Sequence, residues 1–240
     1  MILNNIADGM RKALPLKYCG AVIVAAGNAS RMGGIDKVMA ELDGETMIVR
    51  TVRAFQTCDA IKEIVIVTRP DLIRPISGLC REFDKVQAVV AGGSSRQESV
   101  GLGLNALSKQ VKLAAIQDGA RPLITQAVID RTVRAAHTYS AAAPAIPVKD
   151  TIKVVKGGVV IATPDRSALQ AVQTPQVFDI DLLRGALKKA EEDGAAVTDD
   201  CSAVELLGMS VKIVEGDERN IKVTTPMDLK IAELLLEEMK

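Results

Sequence analysis

Two cations stand close behind the first strongly apolar run of the chain. Arg31 and Lys37 follow Ala21-Val-Ile-Val-Ala-Ala-Gly27 across the short polar stretch that begins at Asn28. The run predicts a buried strand over Ala21–Ala26 that breaks at Gly27 into a loop. In open α/β sheets ligands bind at the carboxyl edge of the strands. Loop amides and fixed cations there suit an anion, phosphate above all. The expectation is a loop that holds a nucleoside triphosphate.

Three later loops carry matching chemistry: Gly92 to Ser99, Asp118 to Arg121, and Arg219 to Lys222. Together with Gly27 to Lys37 they supply several cations, three Gly-containing turns and one well-placed carboxylate. Cations spread the charge that builds on phosphorus and on departing pyrophosphate, and a carboxylate can hold a magnesium ion against phosphate oxygens. Familiar phosphate motifs do not fit. A Walker loop needs Gly-Lys before Ser or Thr, yet Gly34 is followed by Ile35. The dinucleotide fingerprint fails because Ala29 stands where its second Gly belongs.

Alternating elements must position these loops. Strands are predicted at Glu63–Thr68, Val86–Val90, Leu113–Gln117, Ala141–Pro147 and Val211–Val214. Helices are predicted at Thr46–Gln56, Asp71–Glu82, from Arg96 to about Ser108, from Thr125 to about His137, and at Asp179–Asp193, Asp199–Leu207 and Thr225–Met239. Strands that are apolar on consecutive positions imply a sheet covered on both faces. The expected class is therefore α/β with a largely parallel sheet.

Lys149 to Thr163 interrupts this rhythm. Thr151–Lys156, then Gly157-Gly158, then Val159–Thr163 reads as a β-hairpin. Its apolar face needs a cover. A second copy of the chain is one solution, giving a homodimer; folding back on its own sheet is the other.

Composition excludes several classes. The 240 residues carry 30 Lys+Arg and 30 Asp+Glu, which lacks the basic surplus of a non-specific nucleic-acid binder. Aromatic residues are 2% with no Trp, so stacking platforms for single strands are not expected. No apolar run is long enough to span a bilayer, so no membrane partner is expected. Met1 to Lys17 lacks a continuous apolar signal core and reads as a short helical or disordered leader. Cys19, Cys58, Cys80 and Cys201 have no CxxC spacing and read as reduced core thiols of a cytoplasmic protein.

Ala25-Ala-Gly with Arg31-Met-Gly and Lys37 resembles the nucleotidyltransferase signature of sugar-phosphate pyrophosphorylases. Gly92-Gly93 with Arg96 and Ser99 narrows the resemblance to cytidylyltransferases. Asp118-Gly-Ala-Arg-Pro122, Pro147-Val-Lys-Asp-Thr151, Thr174-Pro-Gln176, Thr198-Asp199 and Asn220-Ile-Lys-Val-Thr224 narrow it again, to the 2-C-methyl-D-erythritol 4-phosphate cytidylyltransferase family. These pieces, in order from about residue 20 to 236, are specific together where each alone is weak.

The resemblance implies a three-layer, Rossmann-like, mostly parallel sheet of the nucleotide-diphospho-sugar transferase type, with a protruding hairpin arm at about 148–170. It implies one cytidylyltransferase domain over 20–240 and an extension over 1–19. It implies CMP transfer from CTP to the polyol phosphate of non-mevalonate isoprenoid biosynthesis, with Mg2+ and without a covalent enzyme intermediate. Such a reaction needs no histidine, and the single His137 is placed mid-helix. By the same resemblance Arg31, Lys37 and Lys222 are catalytic. Ala25, Ala26, Gly27, Gly93, Ser99, Asp118 and Gly119 bind CTP, and Asp118 meets the metal. Arg121, Thr151, Arg166, Thr174 and Thr198 bind the acceptor, and the arm reaches the partner's site in a homodimer.

Plainer readings stand beside these. Arg31 and Lys37 also read as surface charges, Ser99 as an ordinary helix residue, Asp118 as a turn cap and Arg166 as half of a surface ion pair. Ribitol-5-phosphate cytidylyltransferases and non-catalytic nucleotide-binding subunits are the alternative functions. Two positions depart from the pattern: Asp36 stands where proline is usual before the lysine, and Arg219 where an acidic residue is common before Asn-Ile-Lys. Asp217 and Glu218 are then the nearby candidates for a second metal contact.

Overall fold

The structure is a computed structural model that describes residues 15–27 and 36–239. Arg31 and most of the expected leader, residues 1–14, lie outside the described residues. The central sheet contains β1 (Cys19–Ala25), β4 (Ile61–Thr68), β5 (Val86–Ala91), β6 (Leu113–Asp118), β7 (Ala141–Pro147), β10 (Gln170–Val172), β11 (Gln176–Asp179) and β12 (Lys212–Glu215). β1 pairs in parallel with β4 and β6, β4 with β5, and β12 with β7. β10 and β11 run antiparallel and share one side of β7, while β12 takes the other. β11 also pairs antiparallel with β6, so it is a wedge between two parallel strands.

Strand alternation sorts the side chains into two cores. Ala21 and Ile23 of β1 and Ile64 and Ile66 of β4 face α1 (Met47–Gln56), α2 (Ile73–Leu79) and α4 (Gln126–Tyr139). Val22, Val65 and Val67 face α3 (Arg96–Ala106), α5 (Ile180–Glu192) and α6 (Asp200–Leu206). The result is the expected three-layer α/β fold. α3 approaches closely: a Cβ on Gly103 would lie 2.3 Å from Val22 Cγ1 and 2.8 Å from Val67 Cγ2. The last helix, α7 (Pro226–Glu237), packs on Leu42, Met47 and Leu123 in a smaller cluster.

Most of the sequence-derived elements match the structure to within a few residues. Asp71–Glu82 is an exception. It splits into a 3-10 turn at Pro70–Leu72 and the seven-residue α2, which stops at Cys80. β10 and β11 were not foreseen, nor were the 3-10 turns at Lys37–Met39 and Arg166–Ala168. The turn at Glu41–Glu45 joins β2 (Glu41–Leu42) to β3 (Glu45–Thr46), with Asp43 and Gly44 at positive φ.

Val154–Lys156 (β8) and Val159–Ala162 (β9) pair antiparallel as a separate two-stranded sheet. Gly157 and Gly158 have φ of 57° and 79°, the backbone a two-residue hairpin turn demands. The strands are shorter than expected, and Thr151 and Thr163 lie outside them. Val154, Val155, Val159, Val160 and Ile161 are all exposed.

Candidate active site

The parallel strands end at one edge, and so do the loops that carry the polar residues. A cavity of about 360 Å³ there is lined by Ala25, Ala26, Gly27, Lys37, Gly93, Arg96, Ser99, Asp118 and Lys222, with Val24, Val38, Ser94, Ser95 and Ala120. Close backbone approach shapes its floor. Gly119 N–H donates to Val24 O at 2.9 Å, and a Cβ on Gly119 would lie 3.1 Å from Ala25 Cβ. A Cβ on Gly92 would collide with Ala26 Cβ at 2.5 Å.

Asp118 ends β6 and is nearly buried. Its Oδ2 lies 2.8 Å from Lys222 Nζ and 3.6 Å from Arg121 Nε, and its Oδ1 lies 3.8 Å from Arg96 Nε. Burial opposes ionisation, but Lys222, Arg96 and Arg121 outweigh it and hold the carboxyl below its ordinary range. Arg96 also reaches Asp200 at 2.7 Å, a second buried carboxyl whose pKa burial raises against the pull of Arg96. Among the described residues, Asp118 is the one carboxylate lining the cavity.

A buried hydrogen-bond network sets these charges in place. Asp118 N–H donates to Thr174 Oγ1 at 3.2 Å, and Thr174 Oγ1 donates to Gln117 Oε1 at 2.9 Å. Asn220, fully buried, donates from Nδ2 to Thr174 O at 3.0 Å and to Gln173 Oε1 at 3.3 Å. Gln173 Nε2 donates to Asp217 O at 2.8 Å, and Arg121 Nη1 donates to Asn220 O at 2.6 Å. The loop that presents Lys222 is thus tied to β6 through the segment between β10 and β11.

The comparisons with known proteins agree with this geometry. Residues 19–238 match the family profile described as 2-C-methyl-D-erythritol 4-phosphate cytidylyltransferase. The chain belongs to that family. A cytidylyltransferase of this name from Caldanaerobacter subterraneus subsp. tengcongensis is 44% identical, covering 90% of this chain and 97% of its own. One from Symbiobacterium thermophilum is 46% identical, covering 90% and 92%. The crystal structure of 4-diphosphocytidyl-2C-methyl-D-erythritol synthase from Anaerococcus prevotii aligns with a TM-score of 0.84 at 30% identity, covering 92% of this chain and 96% of that one. The Thermus thermophilus cytidylyltransferase aligns with a TM-score of 0.77 at 32% identity, covering 92% and 99%.

Within the family frame, the sequence-derived residues fall into three groups. Lys37, Lys222, Ala25, Ala26, Gly27, Gly93, Ser99 and Asp118 line one cavity; Gly119 is not among its lining residues and packs against Ala25. Arg121 and Thr174 lie beneath it, both committed to hydrogen bonds with protein partners. Thr151, Arg166 and Thr198 are exposed, and none of them lines the cavity. Arg166 Nη1 donates to Lys149 O at 2.7 Å, which ties the 3-10 turn Arg166–Ala168 to the loop between β7 and β8. Ser99 Oγ donates to Ser95 O at 2.8 Å and accepts from Gly93 N–H at 3.1 Å, so it braces the glycine loop.

Both departures from the family pattern have physical accounts. Asp217 is bound by Arg219 through Nε at 3.0 Å and Nη2 at 2.7 Å, and Glu218 pairs with Lys149 at 2.5 Å. Neither carboxylate is among the residues lining the cavity. Asp36 pairs with Arg69. Sequence reasoning missed Arg96 as a cavity residue, although it stands in the Gly92–Ser99 motif. It also missed Gln117, whose only signal was a polar side chain closing a predicted strand, and Gln173, which stands in a stretch that reads as loop.

The Asp118 cluster gives a pH prediction. Asp118 binds its proton less readily in the folded chain than at the ordinary value of 3.8. Its contribution to stability is therefore complete above that value and is lost as pH falls through the lower folded value. Urea midpoints measured from about pH 7 to about pH 2 are expected to fall less steeply at the acid end in Asp118→Asn than in the unaltered chain.

Proposed function

We propose that this chain transfers the cytidylyl group of CTP to 2-C-methyl-D-erythritol 4-phosphate, giving 4-diphosphocytidyl-2-C-methyl-D-erythritol and pyrophosphate in non-mevalonate isoprenoid biosynthesis. The observation that carries this reading is the convergence of Lys37, Arg96, Lys222 and the Asp118 carboxylate on one cavity at the carboxyl edge, in a chain of this family. A phosphate oxygen of the acceptor attacks the α-phosphorus in line. The bond from the α-phosphorus to the bridging oxygen breaks, and its electron pair leaves with pyrophosphate. A phosphate monoester dianion is already a nucleophile at neutral pH, so no general base is required. That suits a cavity whose described lining has no histidine.

Charge stabilisation is then the enzyme's main task. Lys222, held 2.8 Å from Asp118, meets the α-phosphate. Lys37, with Arg31, offsets the charge on the pentacoordinate phosphorus and on the leaving pyrophosphate. Backbone at Ala25, Ala26 and Gly93 reads the cytosine edge, and Ser99 keeps Gly93 in position. The donor set fits one magnesium contact. Asp118 Oδ2 is engaged by Lys222 at 2.8 Å, while Oδ1 has a cation only at 3.8 Å. One carboxylate together with substrate phosphates is an ordinary magnesium complement. When bound, the ion neutralises charge on phosphate oxygens.

The acceptor half is completed in a homodimer. The hairpin exposes Val155, Val159 and Ile161 by more than half each, and an isolated hairpin is marginal in water. A second copy covers this arm, at about 148–170, and brings Thr151 and Arg166 to the partner's acceptor pocket. The reaction is placed in the cytoplasm, which suits the four free, buried cysteines. No helix among the described residues is long and apolar enough to cross a membrane.

Pyrophosphate release measured with CTP and a panel of polyol phosphates tests the reading. Turnover is expected with 2-C-methyl-D-erythritol 4-phosphate; turnover with ribitol 5-phosphate alone would overturn it. Lys222→Ala is expected to lower kcat by about a hundredfold or more with near-normal thermal stability. Replacing Val159 and Ile161 with Asp is expected to give monomers in sedimentation velocity, with the acceptor KM rising more than that of CTP.

A further inference from the structure

The return end of the first loop carries an ion pair that the reaction does not itself require. Asp36 directly precedes Lys37 and is extended, with φ −67° and ψ 110°. Its Oδ1 accepts from Val38 N–H at 3.3 Å and caps the 3-10 turn Lys37–Met39. Its Oδ2 lies 2.5 Å from Arg69 Nη2. Arg69 directly follows β4 and is itself held by Asp71, through Nε at 3.2 Å and Nη2 at 3.0 Å. The side chains of Asp36 and Arg69 are 16% and 25% exposed, so the pair is screened less than one in open solvent.

We infer that Asp36 and Arg69 are positioning residues: their ion pair anchors the residue before Lys37 to the end of β4 and so fixes where the Lys37 ammonium enters the cavity. What Lys37 does there rests on the proposed CTP chemistry; where it sits does not. A single 3-10 turn has little stability of its own. Its backbone bonds here are Met39 N–H to Asp36 O at 3.0 Å and Ala40 N–H to Lys37 O at 3.2 Å. The Asp36 carboxylate adds one bond inside the turn and one tie across to β4, and the two together set the turn's orientation. Orientation matters because small misplacement of a charge-stabilising group carries a large rate penalty.

The backbone supplies the means of testing this. A φ of −67° is the value a proline ring enforces, so the same conformation can be held covalently, without the ion pair. Arg69→Met is expected to lower kcat about tenfold, with the KM for CTP within about twofold of the unaltered chain. Asp36→Pro is expected to keep most of the rate, and adding Arg69→Met to Asp36→Pro to cost nothing more. Equal losses from Arg69→Met in both backgrounds would overturn the inference. Amide hydrogen exchange in the free chain gives a readout that needs no turnover. Exchange at Val38, Met39 and Ala40 is expected to quicken in Arg69→Met and to be insensitive to that change beside Asp36→Pro. Unchanged exchange in Arg69→Met overturns the anchor even in an active enzyme. An exchange response in a chain that does not turn over CTP supports the anchor and counts against the proposed reaction alone.

Discussion

A buried carboxylate among three cations is the constraint on which the rest of the site depends. Removing an ion such as Asp118 from water costs several kcal/mol after relaxation. A cation at about 4 Å returns about 4 kcal/mol in a surface-like dielectric. One partner would roughly cancel the cost. Lys222, Arg96 and Arg121 together exceed it, which is why the carboxyl stays ionised. The requirement runs the other way as well. Three cations brought to one strand end repel each other, and Asp118 is what lets loops from three parts of the chain meet there. Arg96 adds a second tie through Asp200, so the start of α3 and the start of α6 share the same charge cluster.

The neutral network beneath works on geometry. Thr174, Gln117, Gln173 and Asn220 are buried and hydrogen-bonded to one another or to backbone. Any of them left unpaired would carry a desolvation cost. The arrangement therefore tolerates little displacement between the Asp118 strand end and the Lys222 loop. The Lys222–Asp118 contact at 2.8 Å therefore has both charge and this network behind it.

Much of this was legible in the sequence, and the limits have physical causes. The β-branched run predicted as a strand over Glu63–Thr68 and the helical spacing over Thr46–Gln56 gave strong signals, and the structure has Ile61–Thr68 and Met47–Gln56. Gly157-Gly158 announced a tight turn, and both residues have positive φ. β10 and β11 left almost no trace, because they are three and four residues long and flank Gln173-Thr174-Pro175, which reads as loop. Lys37, Asp118 and Lys222 were legible as candidates because charged side chains in loops after strands stand out, and the fold brings all three to one cavity. Gln173 and Gln117 were not, since a buried amide that serves as a spacer has the same letter as one in solvent. Asp36 was visible as an oddity, but its partner Arg69 is distant in the chain and only the fold brings the two together.

The antiparallel wedge of β10 and β11 has a consequence for how the molecule can vary. β7 leaves the sheet at Pro147, and β10 re-enters opposite it, with Gln170 paired to Pro147. The excursion that contains β8 and β9 is thus closed at its base by a short ladder, and both of its ends sit at the edge where Asp118 ends β6. The sheet fixes the width of that doorway and leaves the length of what passes through it unconstrained. Segments of different length or sequence can be carried there without shifting the register of any core strand. The exposed excursion is in this sense modular, while the charge cluster around Asp118 is not.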